Sequence, residues 1–343
     1  MFNIKYLESV NNPNSIHGIY PYRGKISAVD AAMLVSQFEK GKTLLDPFCG
    51  SGTIVYEGRK FGLNTLGVDA NPIAVALTNG KLNIDKSLND YYDELKSLIG
   101  ISKDYPTEDC ACEYSRSLFH EDTIYEIIKL SKLYEKMSPY MQACFLGSIC
   151  LAARGCNHYK WTSSTVGKNI TPKRYINFYD KLKGKLKKHY FPVELGSKVF
   201  YNDARKLTSI IKKGSIDYVY TSPPYFDCLD YTMYYARFAY DILGIDRIAI
   251  KNSLIQNFND YESDMKTVLQ ELYEVCKKGA YVIFVVGDKK VHNKIINGAE
   301  FFNGFSPFNC IDVVERNYTG TSSKVFDSIN KTERKEQVII WQK

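Results

Sequence analysis

No apolar run in this chain approaches the ~18 residues that a membrane-spanning helix needs, and the amino-terminal MFNIKYLESVNNPNS lacks the apolar core of a signal peptide. A cytoplasmic protein with no membrane partner is expected. A disulfide framework is missing as well, because the nine cysteines are dispersed through a chain with no export signal and read as reduced core residues. Metal-ligand spacing is nearly absent: Cys110 and Cys112, with Cys156 and His158 far downstream, hint at zinc, but the second pair lacks the usual spacing. No metal is expected. Nor is there a large excess of one charge, since 45 Lys and Arg against 38 Asp and Glu leave +7. That balance suits a polyanionic partner only where the cations are concentrated.

What the chain does hold is organised around Leu44 to Thr53, LLDPFCGSGT. Two apolar residues run into Asp46, and a glycine-rich corner then leads into a helix from near Ile54. Such a strand, tight loop and helix N-terminus can present free N–H groups to an anionic or polar ligand, although an ordinary strand-to-helix turn has the same pattern. The corner lacks the lysine of a nucleotide-phosphate loop, which disfavours a nucleoside-triphosphatase. Asn64 to Val68 reads as a second strand ending at Asp69, seventeen residues after Gly52. An acid there is placed to accept from the hydroxyls of a ribose, or simply to cap the helix that Asn71 and Pro72 begin.

With 343 residues, 45% of them hydrophobic, the chain suffices for one large α/β domain with an insertion or for two smaller domains. The α/β rhythm stops at Asp85, and helical stretches such as Leu88 to Leu98, Thr123 to Met137 and Tyr140 to Ala153 replace it until about Pro192. Between residues 151 and 190 ten cations face one acid, Asp180, with aromatics including Tyr159, Trp161, Tyr175, Phe178, Tyr179 and Tyr190 interleaved. Cations so placed can meet phosphates and rings can stack on bases; the alternative is a solvated basic helix whose aromatics turn to the core. Lys160, Lys168, Lys173, Arg174, Lys187 and Lys188 are the candidate nucleic-acid contacts, DNA and RNA not being separable by charge.

Strands return at Lys198 to Tyr201, closed by Asn202 and Asp203, and at Asp217 to Tyr220, which runs into Thr221-Ser222-Pro223-Pro224-Tyr225. Helices follow around Tyr234 to Leu243 and Asp260 to Cys276, then the apolar strand Ala280 to Val286 and two late strands, Cys310 to Arg316 and Gln337 to Trp341. Five parallel strands and a final antiparallel pair predict a doubly wound sheet, with ligands beyond the carboxyl ends of its strands. The proline loop falls at one such end. Its prolines stiffen the backbone and leave carbonyls free to accept, so Ser222 and the Pro223 carbonyl can take the N–H hydrogens of a base amine while Tyr225 stacks on its face. A rigid turn alone would not call for a polar residue and an aromatic beside it.

Together, DPFCGSGT and TSPPY resemble the cofactor motif and catalytic loop of DNA amino-methyltransferases that use S-adenosylmethionine. Serine before the prolines is similar to the cytosine-N4 branch of restriction-modification methylases, whereas adenine-N6 enzymes usually carry Asp or Asn there. The resemblance covers about residues 17 to 84 and 198 to 343. It implies a mostly parallel seven-stranded Rossmann-like sheet with an antiparallel last strand and a large helical insertion, the catalytic domain falling in 1–84 and 198–343 and the insertion in 85–197. It implies cofactor contacts at Lys25 of YPYRGKI, at Asp46, Pro47, Phe48, Cys49, Gly50, Ser51, Gly52 and Thr53, at Asp69 and Ala70 for the ribose, and at Asp203 near the adenine. Ser222, Pro223, Pro224 and Tyr225 would form the catalytic loop, acting by direct displacement on a flipped cytosine in double-stranded DNA. A monomer or weak dimer is implied, with a cognate restriction endonuclease acting separately. No cysteine stands in the proline loop, so cytosine C5 chemistry has no agent. Open alternatives are an adenine-N6 enzyme, an RNA guanine-N2 methyltransferase, which usually has an acid before the prolines, and a non-catalytic nucleic-acid-binding module. The insertion matches no common family arrangement, which bears on how DNA is read rather than on the chemistry.

Overall fold

A computed structural model of the chain describes residues 2, 15–22, 26–107, 113–153, 174–224, 230–233, 235–257, 259–291, 294–318 and 334–343. From the amino terminus, a 3-10 turn at Ile16–Gly18 leads to α1 (Ala28–Val35), β1 (Thr43–Asp46), α2 (Thr53–Phe61), β2 (Asn64–Asp69) and α3 (Pro72–Leu82). The insertion holds α4 (Leu88–Ser102), α5 (Glu113–Arg116), α6 (Glu121–Ser131), α7 (Pro139–Ala152) and α8 (Phe178–Lys188). The sheet resumes with β3 (Lys198–Tyr201), a 3-10 segment at Ala204–Ser209 and β4 (Ile216–Thr221). Then come α9 (Tyr235–Leu243), α10 (Arg247–Ser253), α11 (Tyr261–Val275), β5 (Cys276–Gly287), a ribbon of β6 (Lys289–Val291) and β7 (Lys294–Ile296), α12 (Gly298–Asn303), β8 (Asn309–Tyr318) and β9 (Arg334–Gln342).

The seven-stranded sheet has the order β3-β2-β1-β4-β5-β9-β8. Strands β1 to β5 are parallel, and β9 runs against both β5 and β8 between which it sits. The expected doubly wound, mostly parallel sheet with its antiparallel last strand is therefore what the chain adopts. Its strands read as unbroken apolar runs because both faces are covered. Leu44, Tyr220, Ile283 and Ile340 pack on one side with Leu34 and Ile54, while Leu45, Val219, Phe284 and Trp341 pack on the other with Leu269, Leu272 and Phe302.

The insertion shares one continuous core with α2 and α3. Its centre is α7, apolar all round and buried over nearly its whole length, as a helix enclosed by others must be. Gly147 lets the amino-terminal segment cross α7 at the closest possible range, since a Cβ there would lie 1.9 Å from the Ile19 carbonyl oxygen. Helix α8 is amphipathic: Phe178, Leu182 and Leu186 are buried, and Phe178 stacks edge-on against Phe145 at 5.4 Å. Of the aromatics in that stretch, Phe178 turns inward and Tyr175 is exposed, while Tyr159 and Trp161 lie outside the described residues. Among the described residues no helix is long and apolar enough to cross a membrane.

Candidate active site

The order of the sheet reverses between β1 and β4, so the loops that leave their carboxyl ends diverge and open a crevice. Asp46, the last residue of β1, is 2% exposed. Its Oδ1 accepts from the Phe48 N–H at 3.2 Å and, across the reversal, from the Thr221 hydroxyl at 2.7 Å. The cofactor-type loop and the proline loop are thus joined by one buried hydrogen bond. Burial pushes the Asp46 carboxyl up to about 7 against the pull of those two donors, and the charge of Asp69 adds to the rise.

The glycine corner closes by its own backbone. The Cys49 N–H donates to the Val68 carbonyl at 3.0 Å and the Gly52 N–H to the Cys49 carbonyl at 2.7 Å. Gly52 has φ 74° and stands so near Thr78 that a Cβ would meet its Cγ2 at 2.6 Å, which only glycine tolerates. Lys81, itself buried, donates to the Ser51 carbonyl from α3. On the β2 side, Asp69 accepts from the Gly50 N–H at 2.8 Å through Oδ2 and from the Asn71 N–H at 2.8 Å through Oδ1. Burial raises its carboxyl to about 6, with both donors opposing. Each oxygen keeps a lone pair for a further donor.

These groups line a cavity of about 870 Å³ counted to its open mouth. Its wall holds Asp46, Pro47, Phe48, Cys49, Gly50, Ser51, Thr53, Asp69, Ala70 and Asp203 of the expected cofactor set, together with Ser222 and Pro224 of the proline loop. Pro223 is buried and Gly52 sits behind the corner, neither in the lining. The Tyr261 hydroxyl fixes the proline loop by donating to the Pro224 carbonyl at 2.6 Å. Asp203 is already engaged: Arg205 Nε lies 3.0 Å from each of its carboxylate oxygens and the same guanidinium reaches Asp264 and the Ser253 carbonyl. Lys25 and Tyr225 lie outside the described residues, as do Lys160, Lys168 and Lys173 and the four residues weighed for zinc. Among the described residues no cluster suited to a metal ion occurs.

Sequence reasoning missed part of the wall. Tyr22, Asn71, Tyr231 and Ser253 to Ile255 also face the cavity. Tyr22 stands in YPYRGKI and so carried a signal; the segment Ser253 to Ile255 carried none, because it comes to the site only through tertiary contact, the Ser253 carbonyl accepting from Arg205 of the 3-10 segment. Three buried polar atoms near the corner have no hydrogen-bond partner among the described residues: Ser51 Oγ, Thr53 Oγ1 and Asn71 Nδ2. Cys49 lines the cavity as a neutral thiol, burial holding it well above its ordinary range. It is no nucleophile there.

Helix α9, which follows the proline loop in sequence, docks on the insertion. Arg237 lies 3.6 Å over the Tyr114 ring, and Asp241 accepts from the Ser115 N–H at 2.8 Å. The exposed Lys187 and Lys188 end α8 next to His189 and Tyr190, whose hydroxyl donates to the Lys86 carbonyl at 2.8 Å beyond the far end of α3. Helix α3 starts at the cavity and runs away from it for 11 residues, about 16 Å at 1.5 Å per residue. The structure does not bring these two lysines to the cavity mouth; Arg174, also exposed, precedes the opposite end of α8.

Two family models match the chain. Residues 216–343 match the model described as DNA methylase, and residues 23–107 match that described as RMKL-like, methyltransferase domain. The Type II methyltransferase M.MjaII of Methanocaldococcus jannaschii is 29% identical over 128 residues, which cover 35% of this chain and 21% of that protein. The Type II methyltransferase M.BsoBI of Geobacillus stearothermophilus is 38% identical over 76 residues, 21% of this chain and 15% of that one. The chain thus spans about a fifth or less of the length of these curated relatives. Among solved structures, an SAM-dependent methyltransferase of Methanosarcina mazei superposes with a TM-score of 0.36 at 11% identity, covering 89% of this chain and 94% of that one. The rRNA methyltransferase aviRa of Streptomyces viridochromogenes gives 0.34 at 12% identity, covering 91% and 84%. Scores this low carry no argument about the chemistry.

Proposed function

We infer that this chain, whose residues 216–343 match the DNA methylase family model, is an S-adenosylmethionine-dependent DNA methyltransferase that modifies the exocyclic N4 amine of a flipped cytosine. The observation that carries this reading is the buried 2.7 Å hydrogen bond from Thr221 to Asp46, which sets the glycine corner and the proline loop on two sides of one cavity. When bound, the cofactor supplies a sulfonium methyl group. The residues present suit such a ligand. Asp69 keeps acceptor capacity for the ribose hydroxyls, the orphaned Ser51 Oγ, Thr53 Oγ1 and Asn71 Nδ2 lack partners that a polar nucleoside would provide, and the N-terminus of α2 points at the same space. Lys25 and Ala70 complete the proposed cofactor set.

On the substrate side, Ser222 in the cavity wall accepts one amine hydrogen and the Pro223 carbonyl takes the other once base entry brings it into the lining, which aims the nitrogen lone pair toward the cofactor end of the cavity. Tyr225 stacks on the base. Such an amine is a poor nucleophile because its lone pair is delocalised into the ring, and acceptors that favour a pyramidal nitrogen lower that barrier. No covalent enzyme intermediate is needed. Serine at 222 favours cytosine N4; adenine N6 is the second reading, since the matched DNA methylase model does not separate the two amines. Duplex DNA is the proposed substrate, with Arg174, Lys160, Lys168 and Lys173 near its backbone. Lys187 and Lys188 join them where the duplex runs down α8. A separately acting cognate endonuclease and a monomeric, cytoplasmic enzyme complete the proposal.

The test is mass spectrometry of nucleosides from duplex DNA incubated with the protein and isotopically labelled cofactor. Labelled N4-methylcytosine is expected. N6-methyladenine instead would transfer the chain to the second reading, and label in neither base would overturn the function.

A further inference from the structure

The most informative unused group is the Asn71 side-chain amide. Asn71 is 2% exposed and sits in the cavity wall, two residues after Asp69. Its Oδ1 accepts from the Ile73 N–H at 2.9 Å and the Ala74 N–H at 3.4 Å, capping α3, and from the Tyr240 hydroxyl at 2.6 Å. Three donors meeting at one atom leave no freedom in the amide's orientation, because the flipped amide would set an NH2 group against all three. Nδ2 is thereby turned away from α3, and it has no partner among the described residues. A buried amide nitrogen without a partner is costly to the fold, at a position where serine or aspartate would cap the helix without that cost.

We propose that Asn71 is a further cofactor-binding residue, donating from Nδ2 to an acceptor oxygen of the bound nucleoside, and that Tyr240 positions it. This rests on the reading of the cavity as an adenosyl site. Tyr240 lies on α9, downstream of the proline loop and braced on the insertion through Arg237 and Asp241. The Asn71 N–H in turn holds Asp69. A chain of buried contacts therefore runs from the insertion through α9 to the two residues that would grip the nucleoside, and a helix docked beside the catalytic loop sets the shape of the cofactor wall. In this arrangement the insertion supports the cofactor site as well as reaching toward DNA.

The experiment is calorimetric titration of the whole protein with S-adenosylhomocysteine, together with thermal unfolding and steady-state methylation. Asn71→Ser keeps a capping oxygen and removes the donor; Asn71→Asp also keeps the acceptor for Tyr240. Both should melt close to wild type, yet each should bind the ligand about tenfold more weakly. Tyr240→Phe should raise the cofactor KM severalfold with kcat at saturating cofactor within twofold, since the phenol acts only through Asn71. An Asn71→Ser variant that binds as tightly as wild type would reduce the residue to a helix cap and overturn the proposal. An unchanged KM in Tyr240→Phe would remove the positioning role. Wild-type protein that binds no S-adenosylhomocysteine would instead bring down the adenosyl reading itself, an outcome separable from the other two.

Discussion

Replacing Thr221 by valine removes one hydroxyl and adds one methyl, so shape is kept while Asp46 loses the side-chain donor that meets it at 2.7 Å. Both residues are buried, Asp46 at 2% and Thr221 at 0% exposure. Loss of a hydrogen bond to a buried carboxylate costs about 1–3 kcal/mol. The cost depends on pH in a defined direction. Burial has raised the folded-state pKa of Asp46 from 3.8 to about 7, so the ionised group is disfavoured in the fold. Stability from this group is therefore lowest above pH 7, rises as pH falls through 7, and is fully recovered only below the unfolded value near 4; over the whole range that is on the order of 4 kcal/mol. Thr221 lowers the folded value, so its loss raises it further and the penalty falls on the ionised state. Urea unfolding should show Thr221→Val less stable than wild type by about 1–3 kcal/mol at pH 8, with the gap shrinking to under about 1 kcal/mol at pH 5, where Asp46 is protonated in both proteins. Thr221→Ser, which keeps the donor, should stay within about 1 kcal/mol at either pH. An equal gap for Thr221→Val at pH 8 and pH 5 would refute the reasoning, because the defect would then be packing and not charge.

Asp69→Ala should weaken cofactor binding by about 1–3 kcal/mol, and calorimetry giving equal affinities would remove Asp69 from the ribose. Because burial places the Asp69 carboxyl at about 6, wild-type affinity for S-adenosylhomocysteine should be flat above pH 7 and fall as pH drops below 6, a trend that Asp69→Asn should lack. Gly147→Ala puts a methyl 1.9 Å from the Ile19 carbonyl oxygen, so thermal unfolding should report a loss of about 1–3 kcal/mol or more; wild-type stability would mean the amino-terminal segment does not cross there. For the DNA surface, Arg174→Ala and the paired change of Lys187 and Lys188 to alanine should each lower the slope of log affinity against log salt, by about one for every phosphate that the replaced side chain had neutralised. Filter binding with unchanged slopes in both would leave α8 as a solvated face.

Much of this molecule was legible along the chain, for local reasons. Asp46 to Thr53 announces a strand, a glycine corner and a helix start because only that residue order lets the backbone turn there, and the unbroken apolar run at Ala280 to Val286 can be only a strand covered on both faces. The seven strands of the sheet and the placing of both motifs at carboxyl ends follow from such signals. What the order of residues does not contain is who meets whom. The pairing of Thr221 with Asp46 spans 175 positions, and no local pattern encodes it; it exists because β1 and β4 are neighbours at the reversal of the sheet. The inward turn of Phe178, the reach of Arg205 to Asp264 and to the Ser253 carbonyl, and the arrival of Ser253 to Ile255 in the cavity wall have the same origin. The short ribbon β6–β7 escaped notice because three-residue strands are too brief to show a period. Asn71 shows the division most clearly. Its sequence neighbours mark only the start of a helix; the structure makes it the cap, and the approach of Tyr240 from α9 fixes its amide and leaves a buried donor without a partner among the described residues, on a residue that lines the site. Composition and periodicity determine which elements form, since those depend on each segment's own backbone and burial preferences. Tertiary packing decides the chemistry, because hydrogen bonds and pKa values depend on partners brought from far along the chain and on the water they exclude.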